Sequence, residues 1–128
     1  MVEPNPNQEK ISVTWEEFDE GVKALLYQIS KEYKDIYAPP RGGLPLGVIL
    51  SHNISIPLLL DESDISEETL IVDDISDRGV TLKELLEGKS NDVAVLYERE
   101  GTVYEADYVF KKLNHDKWLI FPWEKQLS

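Results

Sequence analysis

The apolar residues between positions 18 and 33 recur at intervals of three, four and seven. That spacing places them along one face of an α-helix. Thr14 lies just before this stripe and Glu17 follows three residues later, which is the capping-box pattern that begins a helix. We therefore predict a helix of about five turns that starts after Thr14 and runs to Tyr33.

Shorter apolar runs follow, bounded by glycine, proline and acidic residues. They predict strands over residues 35–38, 56–60, 69–75, 91–97, 103–110 and 118–121, and helices over residues 44–53 and 79–86. Strands that alternate with helices indicate an α/β fold, a mostly parallel, twisted sheet flanked by helices on both faces. Such sheets bind ligands beyond the carboxyl ends of the strands. The loops to inspect are therefore residues 39–43, residues 73–81 and the region after Tyr97.

The chain of 128 residues carries 25 acidic and 13 basic side chains, for a formal net charge of −12. This length fits one domain, which we place at residues 11–128 after a flexible lead-in of residues 1–10. The negative charge argues against nucleic acid or an anionic membrane as the main partner, because both are bound through basic surfaces. A small anion is still compatible, since backbone N–H groups and a metal ion can hold it.

The sequence contains no cysteine, which excludes disulfide bonds, thiolate catalysis and cysteine-ligated zinc. No apolar run approaches the roughly 20 residues of a membrane span, and no signal-peptide pattern precedes the domain. We therefore expect a cytoplasmic protein. Neither a GxGxxG nor a Walker A pattern is present, so those two nucleotide-binding motifs are excluded.

The pattern with the most chemical content lies in residues 70–82, LIVDDISDRGVTL. An apolar strand ends at Asp73 and Asp74, whose carboxylates can accept hydrogen bonds from sugar hydroxyls or bind Mg²⁺ directly or through water. Gly79 lets the backbone curl until successive N–H groups point at one anion. Thr81 adds a hydroxyl at the start of the next helix, where the helix dipole favours a phosphate. Adjacent aspartates alone would also fit a capped turn, but the whole pattern favours a cradle for ribose 5-phosphate.

A second pattern, PPRGG at residues 39–43, follows the first of these predicted strands. The Arg41 guanidinium offers a planar pair of donors to a pyrophosphate group, and Gly42 and Gly43 allow the backbone to approach it closely. A plain tight turn before a buried helix would have a similar composition. Each of the chain's three arginines lies in one of the loops at the carboxyl edge: Arg41, Arg78 and Arg99. That placement favours the anion-binding interpretation.

Residues 73–81 resemble the binding motif for 5-phosphoribosyl-1-pyrophosphate (PRPP) of the type I phosphoribosyltransferases. That motif has two acidic residues, two intervening positions and then Asp-Thr-Gly-x-Thr. Residues 41–43 resemble the family's pyrophosphate loop. Residues 118–124, WLIFPWE, resemble the C-terminal segment of the xanthine–guanine and related purine enzymes. The resemblance covers residues 36–124.

This resemblance implies a Mg²⁺-dependent transfer of phosphoribosyl from PRPP to a nitrogenous base, with a purine expected, and release of pyrophosphate. It implies that Asp77 is the catalytic acid or base, and that Asp73 and Asp74 hold the ribose hydroxyls and Mg²⁺. The remaining implied sites are the 5′-phosphate site at Asp77, Arg78, Gly79, Val80 and Thr81, the pyrophosphate site at Arg41, Gly42 and Gly43, and the base site at Arg99, Trp118 and Leu119. A cis peptide bond between Pro40 and Arg41 and a homodimer are also implied.

Three features depart from the family pattern. Arg78 stands where threonine is usual, and it would either strengthen the phosphate contact or point into solvent. Residues 61–68 are short and acidic where the purine enzymes have a long lid that excludes water. Glu98 stands where those enzymes have a lysine that reads the purine 6-oxo group, so either the adjacent Arg99 donates instead or Glu98 reads an amino group. The short lid and Glu98 leave a second hypothesis open, a non-catalytic module that binds PRPP or a nucleotide on the same fold.

Overall fold

A computed structural model of the chain describes residues 4–124. The strands are β1 (Lys10–Ser12), β2 (Asp35–Tyr37), β3 (Thr69–Ser76), β4 (Val93–Arg99), β5 (Tyr108–Leu113) and β6 (Trp118–Ile120). The α-helices are α1 (Trp15–Gln28), α2 (Leu44–Ile54) and α3 (Val80–Leu85), and short 3₁₀ turns lie at Glu62–Asp64 and Pro122–Glu124. In this described part of the chain, no helix has the length and apolar character needed to cross a membrane.

The central sheet is parallel throughout and has the strand order β2-β3-β4-β5. Side chains alternate between the two faces along each strand. One face packs against α1 and α2 through residues such as Leu25, Leu50 and Leu70. The other face packs against α3 through Leu82 and Leu86. The predicted α/β fold with helices on both faces of a parallel sheet is thereby confirmed.

The chain leaves β2 and β3 in opposite directions. After β2 it passes through α2 to Leu58, which bridges to Ile36 on the outer side of β2, whereas after β3 it passes through α3 to β4. Because parallel crossovers are right-handed, the two helices lie on opposite faces of the sheet. The carboxyl ends of β2 and β3 thus flank a topological switch point, the crevice in which open α/β sheets bind ligands.

Helix α1 begins where the capping box predicts, because the Glu17 N–H donates to Thr14 Oγ1 at 3.0 Å. It ends at Gln28, however, short of the predicted end at Tyr33. The Gln28 side chain donates to the Val109 carbonyl (2.9 Å) and accepts the Val109 N–H (3.3 Å) on the edge strand β5. The helix end is therefore tied to the sheet, and the chain turns back toward β2 from there.

Two strand predictions need correction, and one strand was missed. Residues 56–60 form a single bridge at Leu58 rather than a strand, because Pro57 has no N–H to donate. The strand predicted over residues 103–110 begins only at Tyr108, since residues 102–104 pack against the loop before α3. Strand β1 is not predicted at all. It has three residues and pairs in parallel with β6, a partner at the far end of the chain.

The predicted lead-in of residues 1–10 falls partly outside the described residues, which begin at position 4. Its last residue, Lys10, is the first residue of β1. The Glu9 carbonyl accepts the Trp118 N–H at 2.8 Å. The division of the chain into a flexible lead-in and one domain stays a prediction.

Candidate active site

A cleft of about 810 Å³ opens at the carboxyl ends of the strands. Its walls come from the loop after β2 (Pro40, Arg41 and Gly42), the end of β3 and the turn beyond it (Asp74, Ile75 and Asp77), the end of β4 (Arg99) and the C-terminal segment (Trp118, Leu119, Phe121, Trp123 and Glu124). The first two of these walls flank the topological switch point, so the cleft lies where the sheet topology predicts a ligand.

Two adjacent aspartates at the end of β3 form the acidic centre of the cleft. Asp73 is buried and its Oδ1 accepts the Asp74 N–H at 2.9 Å, while Asp74 Oδ1 accepts the Ile75 N–H at 2.8 Å. Burial raises the pKa of the Asp73 carboxyl well above its usual range, and the charge of Asp74 raises it further. Burial also raises the pKa of Asp74, and the charge of Glu124 acts in the same direction. Crowded carboxylates of this kind favour a cation or a hydrogen-bond donor from a ligand.

The loop of residues 39–43, which we call the arginine loop, packs directly against this acidic pair. A Cβ on Gly42 would lie 2.6 Å from Asp74 Oδ2. A Cβ on Gly43 would lie 3.1 Å from Asp73 Oδ1 and closer still to a carbonyl oxygen of β3. The two glycines therefore bring the backbone of this loop into contact with the carboxylates, which no larger residue would permit.

Two backbone donors of the arginine loop are available to a ligand. The Pro40–Arg41 peptide bond is cis, as predicted. The Gly43 N–H is already used, because it donates to the Pro39 carbonyl at 3.1 Å. Among the residues that the structure describes, the N–H groups of Arg41 and Gly42 find no protein acceptor. An anion beside Gly42 can accept from both.

Residues 77–81 join β3 to α3 and form a segment that we call the amide loop. Gly79 has a φ of +82°, which L side chains rarely adopt. A Cβ at Gly79 would lie 2.6 Å from the Tyr104 nitrogen and closer still to Thr102 Oγ1. Within residues 4–124, no backbone N–H of the amide loop donates to a protein acceptor. A run of unpaired N–H donors that leads into a helix is suited to bind an anion.

Residues 102–104 support the amide loop from behind. The Val103 N–H donates to the Arg78 carbonyl at 3.0 Å. The Ser76 hydroxyl donates to the Tyr104 carbonyl at 2.7 Å, and it lies 3.0 Å from Thr102 Oγ1. Of these bonds, the one from Val103 uses a carbonyl of the amide loop, and none uses its N–H groups, which are left for a ligand.

Asp77, the first residue of the amide loop, is paired with Arg99. The Arg99 Nε donates to Asp77 Oδ1 at 2.7 Å. The other two guanidinium nitrogens donate to backbone carbonyls, Nη1 to His115 at 2.5 Å and Nη2 to Lys117 at 3.1 Å. The Arg99 side chain is 13% exposed and the Asp77 side chain 43%. The arginine is therefore fixed within the wall, whereas the carboxylate remains accessible from the cleft.

Aromatic and aliphatic side chains form the remaining wall. Trp118 and Leu119 belong to β6, where Trp118 is half-buried and Leu119 is buried. Trp123 stacks on Phe121 with ring centroids 4.9 Å apart and planes 10° from parallel. It also meets Phe18 of α1 edge-on at 5.4 Å. Trp123 therefore combines a core role with a place in the cleft wall.

Five cleft residues carry no role in the sequence interpretation: Pro40, Ile75, Phe121, Trp123 and Glu124. The signal that could have found the last three is Pro122, which interrupts the strand pattern. The 3₁₀ turn that starts there is closed by Glu124 Oε1, which accepts the Phe121 N–H at 2.8 Å. This turn brings a third carboxylate toward Asp74.

Glu98 does not line the cleft. It lies on β4 between Tyr97 and Arg99 and therefore projects from the opposite face of the sheet. There its Oε1 accepts the Ala106 N–H at 2.6 Å and its Oε2 lies 3.8 Å from Lys112 Nζ. It lines a separate cavity of about 320 Å³. The hypothesis that Glu98 reads an amino group of a base does not fit this position.

The structure brings seven of the predicted site residues into the cleft wall: Arg41, Gly42, Asp74, Asp77, Arg99, Trp118 and Leu119. Asp73 and Gly43 contact one another beneath that wall. The rest of the amide loop, Arg78, Gly79, Val80 and Thr81, continues from Asp77, with the Arg78, Val80 and Thr81 side chains exposed. The short acidic segment of residues 61–68 contributes nothing to the cleft wall; its 3₁₀ turn is closed by Asp61 Oδ1, which accepts the Ser63 N–H at 2.9 Å.

Curated relatives match most of the chain. The xanthine-guanine phosphoribosyltransferase of Gluconobacter oxydans is 30% identical, and the alignment covers 88% of this chain and 83% of the relative. The xanthine-guanine phosphoribosyltransferase of Idiomarina loihiensis is 28% identical, with 90% of this chain and 87% of the relative covered. These alignments run over 141 positions although this chain has 128 residues, so the relatives carry insertions that this chain lacks. No family model matches the chain.

The fold is also similar to that of solved structures. The purine phosphoribosyltransferase from Pyrococcus horikoshii Ot3 superposes with a TM-score of 0.77 and 27% identity, over 94% of this chain and 97% of the other. The similarity therefore extends over the whole parallel sheet and the cleft at its carboxyl edge, and is not restricted to the motif of residues 73–81.

Proposed function

Since the chain belongs to the type I phosphoribosyltransferases, we propose that it transfers the phosphoribosyl group of PRPP to a purine base and releases pyrophosphate. The observation that carries this proposal is the amide loop, whose unpaired N–H groups adjoin Asp74 and the arginine loop at one switch point. The N–H groups of the amide loop suit a phosphate, the Asp74 carboxylate suits ribose hydroxyls, and the arginine loop suits a pyrophosphate group. A phosphoribosyl donor such as PRPP carries all three groups on a single ribose.

The amide loop and the acidic pair form what we call the ribose-phosphate end of the cleft. The N–H groups of residues 77–81 would bind the 5′-phosphate, with further donors from the Arg78 guanidinium and the Thr81 hydroxyl. Asp74 in the cleft wall, backed by Asp73, would accept hydrogen bonds from the ribose hydroxyls. Gly79 supports this arrangement because its φ of +82° permits a turn that L side chains rarely adopt.

The arginine loop would hold the leaving pyrophosphate. Its available donors are the Arg41 and Gly42 N–H groups and the exposed Arg41 guanidinium. Donors placed where negative charge develops stabilise the departing group. Gly43 would contribute by its close contact with Asp73 and not by its N–H, which is already bonded.

The acidic pair also fits Mg²⁺. Among residues 4–124, no group of three or more histidine or acidic side chains could hold a metal ion by itself. Mg²⁺ commonly binds through one or two carboxylates together with substrate phosphates and water, so two aspartates suffice. The ion would supply positive charge to the pyrophosphate oxygens, and it would offset the burial and the charge of Asp74 that together raise the pKa of Asp73.

Trp118 and Leu119, with Arg99 beside them, form what we call the base end. The half-buried Trp118 indole offers a flat surface on which a purine can stack. Asp77 lies between the two ends of the cleft and has one carboxylate oxygen bonded to Arg99. It would exchange a proton with a ring nitrogen of the base or stabilise that proton.

The test is to incubate the protein with PRPP, Mg²⁺ and a panel of purine and pyrimidine bases, and to follow pyrophosphate release. Turnover with at least one purine is expected. Because no lid-like segment lines the cleft among the described residues, we expect a lower rate than that of a lidded enzyme. Binding of PRPP without turnover on any base would instead support the non-catalytic module.

We also propose that the outer face of α2 is the interface between two copies of this chain. This helix contains no acidic or basic residue other than His52, and Val48 and Ile49 are exposed on it. Two chains of net charge −12 repel least across such a neutral, apolar face. Ile49→Glu should dissociate the dimer in sedimentation experiments, whereas Tyr27→Glu on α1 should not. A monomeric wild type would contradict the proposal.

The cytoplasmic location stays a prediction.

A further inference from the structure

The three segments that meet at Arg99 are distant in sequence. Its guanidinium bonds Asp77 at the start of the amide loop and the carbonyls of His115 and Lys117 in the turn before β6. Each of its three nitrogens therefore donates to a protein acceptor. The side chain is 13% exposed, so these bonds are largely shielded from water.

This geometry demands an arginine. The guanidinium is a rigid planar fork with five N–H donors, and here it holds three acceptors that lie in different directions. A lysine ammonium is a single point of charge on a flexible stem and cannot reach all three from one position. The hydrogen bonds to the two carbonyls fix the plane of the Arg99 guanidinium. Its Nε is thereby held in place and donates to Asp77 Oδ1.

An arginine held in this way is poorly suited to read the base. The bonds to His115 and Lys117 point the outer nitrogens into the wall. The bond from Nε fixes one oxygen of Asp77 and leaves the other free for a ligand. The accessible group at this point of the cleft is the carboxylate, whose side chain is 43% exposed, and not the guanidinium.

We propose that Arg99 is a positioning residue, which acts on the reaction by holding the Asp77 carboxylate at a fixed place between the ribose-phosphate end and the base end. The inference rests on the proposed function and assigns Arg99 a role other than the recognition of an exocyclic group. A displacement of about 1 Å in a reacting group can reduce a rate by about 100-fold. Loss of the guanidinium should therefore lower kcat and leave ground-state binding nearly intact.

The kinetic test uses Arg99→Lys and Arg99→Met with the best base found for the wild type. Both variants should lose kcat by about 10- to 100-fold, with the KM for the base and for PRPP within about threefold of wild type. A residue that reads the base gives the opposite result: Arg99→Lys keeps activity, and Arg99→Met raises the KM for the base. Lys112→Gln, which removes an exposed cation from β5, serves as the control and should leave kcat unchanged.

A double-mutant cycle shows whether the effect passes through Asp77. In an Asp77→Asn background, Arg99→Lys should change kcat by less than about twofold, because the group that it positions is gone. A full additional loss in that background would overturn the inference. A wild type with no turnover on any base would overturn the proposed function and this inference together, whereas a wild type with turnover and an unimpaired Arg99→Lys would overturn only the inference.

The bond itself has a readout that does not depend on activity. With three arginines in the chain, a ¹⁵N spectrum of the arginine Nε–H groups contains few signals. One Nε–H, that of Arg99, should exchange slowly with solvent, and Asp77→Asn should speed its exchange while the fold is retained. An Arg99 signal that Asp77→Asn leaves unchanged would overturn the proposed contact.

Discussion

At the ribose-phosphate end of the cleft the groups proposed to face the ligand are mainly backbone N–H groups of one short segment next to the acidic pair, whereas at the base end they are side chains from separate strands. The amide loop needs only Gly79 and the support of residues 102–104 to present its donors. The base end needs Arg99 from β4, Trp118 and Leu119 from β6, and the turn that carries Trp123. The first end is local in sequence and the second is assembled by the fold.

This difference predicts how the two ends respond to change. A backbone site is disturbed by substitutions that alter φ or add a Cβ, and tolerates most side-chain changes. A side-chain site tolerates substitutions at positions that do not face the ligand. It is altered by substitution of any residue that does face the ligand. Variants of the two ends should therefore separate binding of PRPP from recognition of the base.

The largest effect is expected at Asp77, where the two ends meet. Asp77→Asn should lower kcat by about 100- to 10,000-fold, because a positioned acid or base contributes that much. Affinity for PRPP should stay near the wild-type value, since backbone N–H groups are proposed to bind the phosphate. Pyrophosphate release and calorimetric titration measure the two quantities, and Asp64→Asn in the exposed 3₁₀ turn is the control. Wild-type turnover in Asp77→Asn would remove this residue from the chemistry.

Gly79→Ala should break the ribose-phosphate end. A positive φ costs an alanine about 1–2 kcal/mol and the crowded Cβ adds further strain, so the free energy of unfolding should fall by about 2–4 kcal/mol. Gly101→Ala is a matched control, because Gly101 has a φ of +87° but no atom within 4 Å of a Cβ. Urea denaturation compares the two. Equal losses would show that contact with residues 102–104 is unimportant.

PRPP with Mg²⁺ should stabilise the protein by about 2.7 kcal/mol at a concentration one hundred times its dissociation constant. A purine base alone should stabilise it less, because the base end offers mainly one stacking surface. Thermal unfolding with each ligand, singly and together, measures this. No rise in Tm with millimolar PRPP would contradict the assignment of the ribose-phosphate end.

Trp118→Ala should affect the base end alone. Loss of a base–aromatic stack costs about 1–3 kcal/mol, which raises the KM for the base by about 5- to 150-fold. The dissociation constant of PRPP should not change. Trp118→Phe retains a flat ring and should show a smaller increase in the KM for the base. If both variants weaken the binding of PRPP as much as that of the base, the two ends are not independent.

The smallest effect is expected for Asp73→Asn. This substitution should stabilise the folded protein at neutral pH, whereas a typical core substitution destabilises it. The raised pKa of Asp73 means that its ionised form is less stable in the folded chain than in the unfolded chain. The folded protein therefore loses stability as pH rises from about 4, the unfolded value, through the raised folded value. Asp73→Asn should raise Tm at neutral pH, show no gain near pH 4 and weaken PRPP binding. A lower Tm at neutral pH would contradict this account.

The sequence by itself determined the parts of this protein that depend on neighbouring residues. The capping box at Thr14 starts α1, the switch between strands and helices sets the fold class, and Gly79 sets the curl of the amide loop. In each case the responsible interaction spans only a few residues, so its pattern is visible along the chain. The same reason makes the acidic pair after β3 recognisable as part of a candidate ligand site.

The tertiary structure alone decided which distant residues meet. Strand β1 is too short to be stable by itself and exists because β6 lies beside it. The tie between Gln28 and Val109 accompanies the early end of α1. Side chains alternate between the two faces of β4, so that Arg99 lies in the cleft wall and Glu98 lies away from it. The carbonyls that hold the Arg99 guanidinium belong to the turn before β6. These contacts join residues far apart in the chain, and packing, which no local pattern encodes, sets their geometry.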